Sequence, residues 1–265
     1  ADTFSVETAG NEAARINSNG RILVNSTTSR NTGGSVTRLV QVEGTAGESG
    51  IAVVRNSANA SPPTLDLAKS RSGSVGGNTI VQSGDKLGII NFVGADGVDL
   101  LSVGAQITGE VDGTPGADDM PGRLVFKTTA DGSASTTERL RIDSSGRLLL
   151  GTTTEGADSG DDLTISNSGN MGLTLRSTDS NYCNIYFSDA TSGTAEYAGY
   201  VSYQHSTDSL QFATASTERM RIDSSGRFAL GSTTTNDPDV GDGGLQIRPN
   251  HSNGAPDMHF TRASS

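Results

Sequence analysis

A chain that spells out the same strand, turn and strand three times can hardly fold as anything but a repeat-built β protein. ERLRIDSSGRLLLG begins at Glu138, ERMRIDSSGRFALG begins eighty residues later at Glu218, and a looser copy, EAARINSNGRILVN, begins at Glu12. Leu140 and Ile142 fall on one side of an extended segment and Arg141 and Asp143 on the other, the period of two of a half-buried strand. Asp143-Ser144-Ser145-Gly146 then supplies turn chemistry: short side chains that bond the nearby backbone, and a Gly able to take positive φ. Leu148 and Leu150 resume the apolar side, which makes the segment a hairpin. Met220, Ile222, Phe228 and Leu230 flank the same turn at Asp223–Gly226, and Ile16, Ile22 and Val24 flank Asn17–Gly20. Glu138, Arg141, Ile142, Asp143 and Gly146, with their counterparts Glu218, Arg221, Ile222, Asp223 and Gly226, are therefore read as structural. The Asp bonds the turn, and Glu and Arg are expected to pair across strands or chains.

After each hairpin come a Ser/Thr run, a polar link and another alternating strand, at Leu39–Val42, Leu163–Ile165 and Leu245–Ile247, each read as opening the next unit. Residues 1–34 are thus a partial first repeat ending in a hairpin, and 35–157 a long repeat with a Gly/Asp-rich insertion and hairpin 138–151. Residues 158–236 form a shorter, Tyr-rich repeat with hairpin 218–231, and 237–265 start a further unit. The interval from Arg15 to Arg141 is 126 residues and that from Arg141 to Arg221 is 80, so the first carries 46 more. The surplus is assigned to Gly84–Gly122, where strands at Leu87–Phe92 and Ala105–Val111 alternate with Gly/Asp turns. No long apolar pattern at helical spacing is present, so the fold is all-β.

Of 265 residues only 32% are apolar, 34 are Gly and none is Trp, too little bulk for one thick core. Thin layers must then be covered by neighbours, either stacked units or identical chains. A net charge of −11 argues against wrapping nucleic acid. Cys183 stands alone, so the chain has no intrachain disulfide. No stretch approaches the roughly twenty apolar residues of a membrane span, and ADTFSVETAGNEAAR has neither a basic patch nor an apolar core of a leader. The chain reads as soluble, without membrane insertion.

The joined pattern Glu-Arg-[Leu/Met]-Arg-Ile-Asp-Ser-Ser-Gly, an apolar strand and Gly-Thr-Thr resembles the shaft repeats of bacteriophage tail fibres and tailspikes, of the kind found upstream of an endosialidase-type intramolecular chaperone domain. GDKLGIINFVGADG (Gly84–Gly97) and VDGTPGADDMPGRLVFKTTADGSASTTERLRID (Val111–Asp143) are similar to segments of such fibres. Many hairpins of that family end in Gly-Ile-Gly-Thr, where this chain has Leu149-Leu150-Gly151-Thr152 and Ala229-Leu230-Gly231-Ser232. The closing MHFTRASS looks like the approach to a chaperone domain. The resemblance implies a structural virion protein in a tail fibre, extracellular once assembled. It further implies an elongated, parallel homotrimer resembling a β-prism, in contact with other tail or baseplate proteins and with a host cell-surface receptor that could be a glycan. A head-attached decoration fibre and a polysaccharide-degrading tailspike are the alternatives.

The tailspike reading needs paired carboxylates about 5 to 10 Å apart, with Asp118, Asp119, Asp161 and Asp162 the residues to test. Duplication of Glu138/Asp143 as Glu218/Asp223 speaks for architecture instead, and no phosphate loop, nucleophile elbow or Cys/His pairing is visible. No enzyme activity and no cofactor are expected. His205, His251 and His259 make no metal triad in sequence. Asp237, Asp239 and Asp242 resemble a calcium loop, but Arg248 stands where the twelfth-position carboxylate belongs, so a solvated turn is expected. All five Tyr, at 182, 186, 197, 200 and 203, lie in one short region. Contact between strands or chains explains such a cluster, and so does a recognition surface for a receptor or glycan.

Overall fold

The computed structural model describes residues 3–231 except 35, 46 and 48, together with the backbone of Leu245–Ile247. The calcium-like loop, His251 and His259 lie outside these residues. The chain divides into two compact units, residues 1–171 and 172–265. Among the described residues no helix is long and apolar enough to cross a membrane.

The first unit holds two sheets. One runs β1-β2-β3-β4, with β1 Phe4–Thr8, β2 Asn11–Ile16, β3 Ile22–Val24 and β4 Val40–Val42. The other runs β10-β9-β8-β7-β6-β5, with β5 Lys86–Gly94, β6 Ser102–Val111, β7 Gly122–Thr129, β8 Thr136–Ile142, β9 Leu148–Leu150 and β10 Leu163–Ile165. The second unit holds the third sheet, β11 to β16 in chain order: β11 Tyr182–Phe187, β12 Gly199–Gln204, β13 Ser209–Thr214, β14 Thr217–Ile222, β15 Phe228–Leu230 and β16 Leu245–Ile247. Each sheet is an antiparallel meander whose last strand joins in parallel. The three short strands read as opening new units therefore close the preceding sheet, so a boundary at 157/158 falls between β9 and β10 of one sheet. Nor does the extra length sit mainly in Gly84–Gly122. Strands β5 and β6 occupy the sheet positions of β11 and β12, whereas 43 residues separate β4 from β5 against 16 between β10 and β11.

The hairpins form as their turn chemistry dictates. Asp143 Oδ1 accepts from the backbone N–H of Ser145 and Arg147 at 2.9 and 3.0 Å, and its Oδ2 takes Arg147 Nε at 2.8 Å. Asp223 repeats this with Ser225 and Arg227. Gly146 and Gly226 follow at φ +82° and +76°. In the first sheet Asn17 accepts the same two backbone bonds, from Asn19 and Arg21, but has no second carboxylate oxygen. Arg21 Nε is accordingly buried without a hydrogen-bond partner among the described residues.

The hairpin Glu and Arg pair with each other within one strand. Glu138 and Arg141 are joined by two hydrogen bonds, Nη2 to Oε2 at 2.9 Å, and Glu218–Arg221 and Glu12–Arg15 match them. Residues three apart on a regular strand face opposite ways. Here Lys127 pairs with Glu138 and Phe126 with Leu140, so Arg139 is an extra, bulged residue that brings Glu138 and Arg141 to one side. Ala13 and Arg219 are the bulged residues of the other two sheets. The bulged carbonyl accepts the N–H of Asn25, Gly151 or Gly231, all left-handed, which ends the hairpin.

Alternation is present as expected, but the chain buries the face opposite to the apolar one. Leu23, Val125, Leu149 and Ala229 are buried, the first, third and fourth in register with Arg15, Arg141 and Arg221. Thr108, Glu110, Ser202 and Gln211 share these faces. The long Glu and Arg side chains stand on the same faces as these buried residues, and such amphipathic stems are able to cover apolar surface. On the other faces Phe4, Phe92 and Phe187 remain 66%, 55% and 62% exposed, with Ile16, Ile22, Ile90, Ile142, Leu150, Ile185 and Leu230 also exposed. From Ile51 to Lys69 the chain forms no strand and no backbone–backbone hydrogen bond among the described residues, and Ile51, Val54 and Leu65 are exposed.

Candidate functional site

The feature of the third sheet that the repeat itself does not require is its Tyr cluster. In β11 and β12, Tyr182 pairs with Gln204, Asn184 with Ser202 and Tyr186 with Tyr200, so all six share one face. The short 3-10 segment Gly193–Tyr197 returns Tyr197 over Tyr186, ring centroids 6.2 Å apart, and Tyr186 meets Tyr200 edge-on at 6.3 Å. Tyr182, Asn184, Tyr186, Tyr197, Tyr200, Ser202 and Gln211 line a cavity of about 270 Å3. Tyr203 lies on the opposite face, its ring against His205 and its hydroxyl donating to Asp208 at 3.1 Å. The structure thus brings together four of the five Tyr.

The cavity floor is polar and tightly bonded. Ser202 Oγ donates to Asn184 Oδ1 at 2.6 Å, and Gln211 Nε2 donates to Gln204 Oε1 and Ser209 Oγ. Ser202 and Gln211 are buried. Burial, then the nearby Glu218 carboxylate, pushes the Tyr200 phenol up, so it stays protonated at neutral pH. Glu218 is ion-paired to Arg221, whose own pKa its hydrogen bond raises.

The remaining candidates lie elsewhere. Asp161 is tied to Arg147 at 2.9 Å, and Asp118 and Asp119 sit in the tight 116–119 turn. A glycosidase acid needs a carboxyl displaced upward. Glu12, Asp85, Asp96, Glu110, Asp112 and Asp143 are all displaced downward. Burial works to raise Glu110, but hydrogen bonds from Arg123 and Lys127 outweigh it. One pairing not visible in the sequence is Cys183 Sγ with His205 Nε2 at 3.5 Å, 22 residues apart. The thiol also contacts the Leu175 carbonyl, and among the described residues no group of three His, Cys, Asp or Glu could hold a metal. A larger cavity of about 680 Å3 near Arg30 and residues 97–101 has a mostly apolar wall, and Arg30 is bound to Glu43.

Fold and site together define an all-β protein built from meander sheets that share a bulged, ion-paired hairpin. No family model matches the chain, and no curated protein matches it. Among solved structures it is similar to the carboxy-terminal domain of the bacteriophage T5 L-shaped tail fibre, at 11% identity and a TM-score of 0.37, over 79% of this chain and 100% of that one. It is also similar to that domain with its intra-molecular chaperone domain, at 12% identity and a TM-score of 0.37, over 81% of this chain and 72% of that one. At these values the likeness assigns no role.

Proposed function

We propose that this chain is a structural, non-enzymatic segment of a bacteriophage tail fibre, a homotrimer that joins other tail or baseplate proteins and presents surfaces for host attachment. The observation that carries the proposal is the uncovered apolar face on all three sheets. Large apolar residues such as Phe4, Phe92 and Phe187 stand exposed on the apolar side of their sheets among the described residues. Monomeric soluble proteins rarely expose such continuous apolar surface, and identical chains packed on these faces bury it. The stretch from 51 to 69, whose backbone groups find no backbone partner among the described residues, then lies against a neighbouring copy. Three copies of any weak receptor site raise avidity without new contacts.

Light scattering tests the proposal. The expected native mass is three times the 27.2 kDa chain, unchanged on dilution. A stable monomer overturns it. Binding of the labelled trimer to host cells then tests attachment.

A further inference from the structure

The second sheet shows what the scaffold looks like without its aromatic cluster. There Asn91 pairs with Gln106 and Gln106 with Lys127, closed by a Gln106 Nε2 to Asn91 Oδ1 bond of 2.7 Å. At the same three positions the third sheet has Tyr186, Tyr200 and Ala213. Replacing Lys by Ala removes a long side chain from this face, and at the next rung of the same face Gln211 stands where the second sheet has Val125. The meander is therefore built equally well without Tyr, and strand packing does not account for the cluster. The hydroxyls of Tyr182, Tyr186, Tyr197 and Tyr200, and Nδ2 of Asn184, have no hydrogen-bond partner among the described residues.

We propose that this cavity is a subsite for one or two residues of an uncharged saccharide, held by the faces and hydroxyls of Tyr186, Tyr197 and Tyr200 and by the amides of Asn184 and Gln211. Aromatic rings cover the apolar C–H face of a sugar while fixed polar groups take its hydroxyls. The volume, just below the roughly 300–1,000 Å3 usual for ligand pockets, limits the occupant to about one or two rings. The neighbouring charges give an anion no net attraction, since Glu218 and Arg221 neutralise each other in an ion pair. The inference rests on the proposed fibre in one respect: copies covering the apolar face, which carries Ile185 and Phe187, leave the Tyr face to solvent.

The chain has no Trp, and its five Tyr all lie in residues 182–203, so tyrosine emission, excited where Phe does not absorb, reports on this region alone. Titration with the neutral tetrasaccharides of glucose, galactose and mannose is expected to give a saturable change for at least one, with a heparin tetrasaccharide giving none. The variant Tyr186→Asn/Tyr200→Gln/Ala213→Lys copies the rung that the second sheet already folds around. Followed by calorimetry, it is expected to bind at least about tenfold more weakly at unchanged native mass. Silence toward all three neutral probes, equal binding by the variant, or a response to the charged probe alone overturns the subsite. Native mass on the same samples separates the two readings: a trimer that binds no sugar removes the subsite and keeps the fibre, and a monomer that binds removes the fibre and keeps the subsite.

Discussion

Replacing Ile142 by Asp separates a lone chain from an assembled one. In the chain by itself Ile142 keeps 40% of its surface exposed, so a carboxylate there stays hydrated. The cost is then about 1 kcal/mol, the span of strand preferences. If copies cover that face, the remaining exposure is a larger matter. Full burial of an Ile side chain contributes about 1.5–3 kcal/mol, so the last two-fifths contributes about 0.6–1.2 per chain, or about 2–4 for a trimer. The substitution forfeits this and adds the desolvation of three carboxylates, several kcal/mol each, for a total on the order of 10 kcal/mol. Native mass and thermal unfolding read the difference, with Ala134→Asp in the exposed β7–β8 turn as control. We expect Ile142→Asp to dissociate the assembly or lower its melting temperature far below the control. If both variants keep the parent mass and melt together, the apolar face has no partner and the reasoning fails.

Two further outcomes follow from the ion pairs and turns. Glu110, Asp112 and Asp143 have folded pKa values below their ordinary ones, because Arg, Lys and backbone N–H groups hold them ionised against the opposing effect of burial. Their contribution is therefore present above the unfolded values of 4.5 for Glu and 3.8 for Asp and is lost as pH falls below them. Melting temperature should drop steeply from about pH 5 to pH 2, with a shallower slope for Glu110→Gln; a flat profile contradicts the assignment. In the first sheet, Asn17→Asp supplies the oxygen that buried Arg21 Nε lacks. It should slow amide exchange of residues 14–24 by an amount equal to about 1–2 kcal/mol, and no change would show that Arg21 is already satisfied by water.

The hairpins were legible because the interactions that make them span four residues: Asp143 bonds Ser145 and Arg147, and Gly146 supplies the positive φ. The bulge was harder to read, although its trace is there. Glu138 and Arg141 are three apart in a period-two strand and belong on one face only if a residue between them is extra. Which face the chain buries was not legible, since alternation marks Leu140 and Ile142 as apolar without saying what covers them. Leu149, a Leu between two others, was hidden because it stands opposite Arg141 across the hairpin, on the face that carries the charged side chains. The Tyr cluster was visible as a crowd, but the register of β11 on β12 decides that Tyr203 faces away. Cys183 and His205 meet through that same register, which spacing alone does not reveal.

The bulged hairpin fixes its own register by bonds that never leave the segment: the turn Asp, the Glu–Arg clasp, and the bulged carbonyl held by a left-handed residue. What lies between one hairpin and the next is then free to change length, as the links of 43 and 16 residues before β5 and β11 already do. A gene encoding such a chain can lengthen, shorten or exchange the intervening cassette without recompiling the strands on either side. Recombination at the repeated ERxRIDSSG stretch would join two such chains in frame and in register, so the same signature that organises the sheets also offers a crossover point for exchanging the segment between them.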